Sequence, residues 1–125
     1  MSGKLLSQTP NRSESLLIGE KTIYYEVYGA GKPLFLLHGY TQSSLSWRSY
    51  VNEYTQDYEV YVVDLTGHGR SSPFSQDLSI RSVAEDLNSL IGHLGLDKIK
   101  AIGFSFGGDV LYQLALWCIR YMDDK

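Results

Sequence analysis

Leu34-Phe35-Leu36-Leu37, Val60-Tyr61-Val62-Val63 and Ile99-Lys100-Ala101-Ile102 are short apolar runs bounded by turn signals and set far apart in the chain. Runs of this kind suit parallel strands covered on both faces, and parallel neighbours must be joined by crossovers, usually helical. The intervening segments supply them. Trp47, Tyr50, Val51 and Tyr54 recur at i, i+3, i+4 and i+7, which predicts a helix begun near Ser43 or Ser44. Ile80, Val83, Leu87, Leu90, Ile91 and Leu94 predict a second, with Ser79 as N-cap and Gly95-Leu96 as a Schellman C-cap. A third, from Gly107 to about Ile119, is apolar nearly all round and expects burial. Ahead of these, Leu16-Leu17-Ile18, a Gly19-Glu20-Lys21 turn and Thr22 to Tyr28 read as a β-hairpin. The expected fold is α/β, with a mostly parallel sheet and an antiparallel hairpin at one edge.

The expected organisation is a flexible lead-in over residues 1–14, a folded domain over 15–119 and a polar tail over 120–125. With 43% hydrophobic residues and a formal net charge of −3, the composition argues against disorder, a nucleic-acid groove and a charge-driven membrane contact. Cys118 is the only cysteine, so no intrachain disulfide can form. The first fifteen residues lack the apolar core of a signal peptide and no window reaches membrane-spanning length, so a cytoplasmic protein is expected. His38, His68 and His93 lack ligand spacing, and His93, in the last turn of the second helix, reads as a surface residue. Gly67-His68-Gly69 and Gly103 to Gly108 match neither phosphate-loop pattern, so no metal or cofactor is expected.

Chemistry enters at Ser105, in Gly103-Phe104-Ser105-Phe106-Gly107 between the third apolar run and the third helix. A G-x-S-x-G in a strand-turn-helix setting is a nucleophile elbow, whose glycines permit the tight bend that presents the serine Oγ. The helix it opens favours negative charge developing beside that oxygen. Two further loops leave the carboxyl ends of strands, where open α/β sheets bind ligands. These are His38-Gly39-Tyr40 and the stretch Asp64-Leu65-Thr66-Gly67-His68-Gly69-Arg70-Ser71-Ser72.

Together these three motifs resemble the α/β-hydrolase fold superfamily, over Ser15 to about Ala115. The resemblance implies strands 1 to 5 of that fold, in the order 1-2-4-3-5, as its N-terminal half. It implies Ser105 as nucleophile and the backbone N–H groups of Tyr40 and Phe106 as oxyanion hole. His38, Gly39, Gly103 and Gly107, with Asp64, Gly67, His68 and Gly69, are implied to support the motifs. The family's triad acid and histidine follow the nucleophile, at positions beyond Lys125, so a truncated chain with little turnover of its own is expected. The implied substrate is a small ester-like molecule, with a serine favouring esterase, thioesterase, peptidase, carbon-carbon hydrolase or perhydrolase chemistry over dehalogenation, which uses aspartate. Without later strands, the Ile99 to Ile102 edge is expected to self-associate or to take up a complementing C-terminal fragment. The alternative is a non-catalytic binding module on the same scaffold.

Overall fold

The computed structural model describes residues 9–123, in which strands β1 (Arg12–Ile18), β2 (Lys21–Gly29), β3 (Lys32–Leu37), β4 (Tyr58–Asp64) and β5 (Lys100–Gly103) form one sheet. The order is β1-β2-β4-β3-β5, and helices α1 (Ile80–His93) and α2 (Phe106–Asp123) pack together on one face. Strand periodicity explains why β2, β3 and β4 carry apolar residues without a break. Ile23, Tyr25, Val27, Phe35, Leu37, Tyr61 and Val63 point to the helices and meet Val83, Leu87, Leu90, Val110 and Leu114. The alternate residues Tyr28, Leu34, Leu36, Val60 and Val62 meet Val51, Trp47 and Tyr54 on the other face. Both ends of α1 follow the sequence. Ser79 and Ser82 form a reciprocal capping box, and Gly95, at φ +72°, closes a Schellman motif in which Leu96 N–H donates to Ile91 O at 3.3 Å. Among the described residues no helix is long and apolar enough to cross a membrane.

Four expectations are corrected. The sheet is mixed, since β1 with β2 and β2 with β4 run antiparallel while β3 is parallel to β4 and β5. The hairpin strands, needing no crossover, supply two of its five strands. The helix expected from Ser43 or Ser44 is instead two 3₁₀ segments, Ser44–Trp47 and Val51–Glu53, and Tyr50 is exposed. Here Ser43 Oγ accepts from Leu45 N–H, Ser46 Oγ donates to Ser43 O, and the Ser44 N–H is taken by Asp64, so local and distant side chains displace the α-helical ladder. β1 begins at Arg12, inside the expected lead-in of residues 1–14, because Arg12, Ser13 and Glu14 pair with Val27, Glu26 and Tyr25; residues 1–8 of that lead-in lie outside the described residues. α2 runs to Asp123, past Ile119 and through most of the expected tail, with no Gly or Pro there to stop it; residues 124–125 lie outside the described residues.

Burial raises the Tyr25 hydroxyl to about 12, assisted by its 2.7 Å hydrogen bond to Glu14. Burial also raises Tyr28, which donates to Glu26, and Tyr61, which donates to Glu59. From about pH 10 upward the unfolded chain ionises its tyrosines while these stay protonated in the fold, so the folded state binds more protons and stability falls. Stability against denaturant should therefore weaken from about pH 10 through pH 12, by about 2 kcal/mol for Tyr25. Tyr25→Phe should flatten part of that decline; an unchanged slope would refute the assignment.

Candidate active site

β3, β4 and β5 all end at the same side of the sheet, which brings together three loops distant in sequence. Phe104 N–H donates to Leu37 O at 3.0 Å, continuing the β3–β5 ladder into the first residue of the elbow. Ser105 then adopts φ +53°, a left-handed conformation that only it and Thr41 share among the described non-glycine residues. For a residue with a Cβ this costs about 1–2 kcal/mol, and it is held because neighbours on both sides leave no room to relax. A Cβ on Gly103 would stand 2.5 Å from Gly107 O, and one on Gly107 would stand 2.6 Å from both Leu37 O and His38 O. The two glycines thus let α2 start against the end of β3. Gly107 N–H donates to Phe104 O at 2.9 Å and Asp109 N–H to Ser105 O at 3.0 Å, closing the turn into the helix.

Ser105 is exposed, and among the described residues its Oγ has no hydrogen-bond partner. The Phe106 N–H, at the start of α2, and the Tyr40 N–H, after β3, likewise have none. Their side chains are brought together: the Tyr40 and Phe106 rings lie 5.7 Å apart, and both contact His68, at 5.6 and 5.5 Å. One aromatic cluster therefore ties the three loops to one another.

His38 is fully buried with both ring nitrogens engaged. Its Nε2 accepts from Leu65 N–H at 3.0 Å, so Nδ1 carries the proton and donates to Gly39 O at 2.8 Å. Burial lowers its pKa, and the His68 ring 4.8 Å away lowers it further. A neutral imidazole thus pins the β3 loop to the β4 loop. Gly39 N–H is capped by Gln42 Oε1 at 2.9 Å, and Gln42 N–H returns to Gly39 O at 3.1 Å.

The Asp64 loop is scaffold. The buried Asp64 carboxylate accepts from Ser44 N–H at 2.5 Å and from Arg70 N–H at 3.0 Å, while its main-chain oxygen accepts from Ser71 Oγ. Gly69 passes close above that carboxylate, and Gly67 N–H donates to Ser72 O at 2.7 Å. Ser71 and Ser72 hydroxyls accept from Tyr24 and Thr22 N–H, both at 2.8 Å, which sews the loop onto β2. His68 is buried, and its Nδ1–H donates to Thr66 O at 3.2 Å. His93 is exposed at the end of α1.

The sequence reading did not single out Thr41, Gln42 or Ser44 in this arrangement. In the sequence Ser44 carries only the signal of a possible helix start. Gln42, Ser46, Trp47, Tyr50 and Phe104 also line an open cavity of about 310 Å³ beside the elbow. Among the described residues no three His, Cys, Asp or Glu side chains are placed to hold a metal ion.

The family model described as the alpha/beta hydrolase fold matches residues 32–116. Over 99 residues the chain is 35% identical to a soluble epoxide hydrolase from Corynebacterium sp. (strain C12), covering 79% of this chain and 35% of that protein. Over 87 residues it is 34% identical to a non-heme haloperoxidase from Rhodococcus erythropolis, covering 69% of this chain and 32% of that one. The solved structure of the epoxide hydrolase CorEH superposes with a TM-score of 0.78 at 34% identity, over 83% of this chain and 37% of that chain. The chain therefore spans about a third of the length of the curated relatives it matches.

Proposed function

The chain belongs to the alpha/beta hydrolase fold family, and we propose that Ser105 is the nucleophile of an acyl transfer on small ester-like substrates. The observation that carries this reading is the left-handed Ser105, exposed on a tight elbow next to the Phe106 N–H, which like the Tyr40 N–H has no partner among the described residues. In this reaction Oγ attacks the carbonyl carbon while its proton passes to a base, and the carbonyl oxygen becomes an oxyanion. The N–H groups of Tyr40 and Phe106 are proposed to receive that oxyanion, with the N-terminus of α2 adding favourable charge. Collapse of the intermediate expels the alcohol or amine and leaves an acyl-serine for water to hydrolyse.

Among the described residues no imidazole makes the hydrogen bond to Ser105 Oγ that such a base needs. His38 has both nitrogens occupied, and His93 sits at the far end of α1. The proposal is therefore that this chain reacts slowly at Ser105 and turns over esters poorly, with the base and its acid partner supplied elsewhere in the whole enzyme. Incubation with a fluorophosphonate should add one phosphonyl group, mapped by mass spectrometry to Ser105. Ser105→Ala should lower that labelling more than about 100-fold. Labelling that persists in Ser105→Ala would refute the nucleophile assignment, and ester turnover at about 10 per second or more would refute the absence of a base.

A further inference from the structure

Thr41 is the only described residue besides Ser105 that carries a side chain in the left-handed region, at φ +64°. It is also β-branched, the side-chain class for which this conformation is most unfavourable. The turn around it runs Gly39-Tyr40-Thr41-Gln42, closed by Gln42 N–H to Gly39 O at 3.1 Å. A positive φ at the third position marks it as type II, where glycine or asparagine is the usual occupant. Thr41 Oγ1 donates to Tyr40 O at 2.5 Å, so the hydroxyl grips the peptide that distinguishes this turn from type I. The other sides are gripped as well, since Gly39 O accepts from both His38 Nδ1 and Gln42 N–H, and Gly39 N–H is taken by Gln42 Oε1. The two acceptors beside the Tyr40 N–H, Gly39 O and Tyr40 O, are thereby engaged, and among the described residues that N–H has no partner, while the Tyr40 ring lies 5.7 Å from that of Phe106.

We propose that Thr41 is a positioning residue, whose hydroxyl holds a strained type II turn so that the Tyr40 N–H and the Phe106 N–H act as one preorganised pair. This rests on the reading of Ser105 as nucleophile. Strain of this kind persists only where surrounding bonds over-determine it, and here the two strained residues each adjoin one of the two open donors. Glycine would relieve the strain but would let the turn exchange between forms, so the donor would no longer be aimed.

The test compares Thr41→Gly, Thr41→Val and Thr41→Ser in the full chain, by the ¹H–¹⁵N resonance of Tyr40 and by the rate of fluorophosphonate labelling. In Thr41→Gly the Tyr40 resonance should shift or broaden while those of β3 and α2 stay in place, and labelling should slow about 10-fold. Thr41→Val, similar in shape but without the hydroxyl, should behave like the glycine variant, and Thr41→Ser should recover most of the wild-type rate and spectrum. Should Thr41→Gly fail to fold, the valine and serine variants make the same comparison. An unmoved Tyr40 resonance in every variant, or serine indistinguishable from valine, would overturn the proposal. If wild type and Ser105→Ala are labelled alike, the nucleophile reading fails, and the Tyr40 resonance alone still decides whether Thr41 holds the turn.

Discussion

Replacing Asp64 with alanine is expected to cost about 3–4 kcal/mol of folding stability, enough to shift a denaturant midpoint far beyond error. Asp64 is 1% exposed, and its carboxylate satisfies two main-chain donors, Ser44 N–H at Oδ1 and Arg70 N–H at Oδ2. Ser44 is itself buried, so its donor has no ready access to water once the acceptor is gone. A buried donor left unpaired costs roughly 1–3 kcal/mol, and the charged acceptor places this case at the upper end. The Ser44–Trp47 segment would lose the anchor that holds its start against β4. Asp64→Asn keeps one oxygen for one donor and turns an NH₂ toward the other, so about half the loss is expected. Equal stability of the aspartate and alanine proteins in equilibrium denaturation would show that the carboxylate anchors nothing.

The second large effect is expected from Gly107→Ala, at about 3 kcal/mol. The new Cβ would meet Leu37 O and His38 O at 2.6 Å, and Leu37 O cannot move away without losing its hydrogen bond from Phe104 N–H. α2 must instead back away, taking the elbow with it, so labelling of Ser105 should fall together with stability. Gly92→Ala is the control. Gly92 lies inside α1 with nothing within 4 Å of a built Cβ, and alanine there should stabilise the protein by about 0.5–1 kcal/mol. If both substitutions proved neutral, the tight approach of α2 to β3 would not be a constraint on this fold.

The contrast between these glycines shows which parts of the molecule could be read from residues alone. α1 was legible because its apolar spacing, its Ser79 cap and its Gly95 stop are all local. The apolar runs of β3 and β4 declared themselves because each strand buries both faces. The elbow was legible because its glycines, strand and helix lie within one short stretch, and the resemblance to the hydrolase fold supplied the pairing of Tyr40 with Phe106. The region from Ser43 to Tyr54 was not legible as 3₁₀ structure, since the decisive bond comes from Asp64, twenty residues along the chain. Nothing in the sequence marks Thr41 either. Threonine is a poor choice for a left-handed position, and only the surrounding bonds reveal why it adopts one.

The place of β3 between β4 and β5 carries a consequence for how the protein is made. This strand, paired on both sides in the folded sheet, is completed before either of its partners exists, because both lie later in the chain. At about 5–20 residues per second, a ribosome leaves Leu34 to Leu37 waiting for several seconds before β5 can close the second edge. During that interval it is an apolar segment with open main-chain groups, the kind of surface that chaperones shield and that neighbouring nascent chains can capture. Ser105 is made later still, so the elbow takes shape only against a sheet whose centre has already survived that exposure.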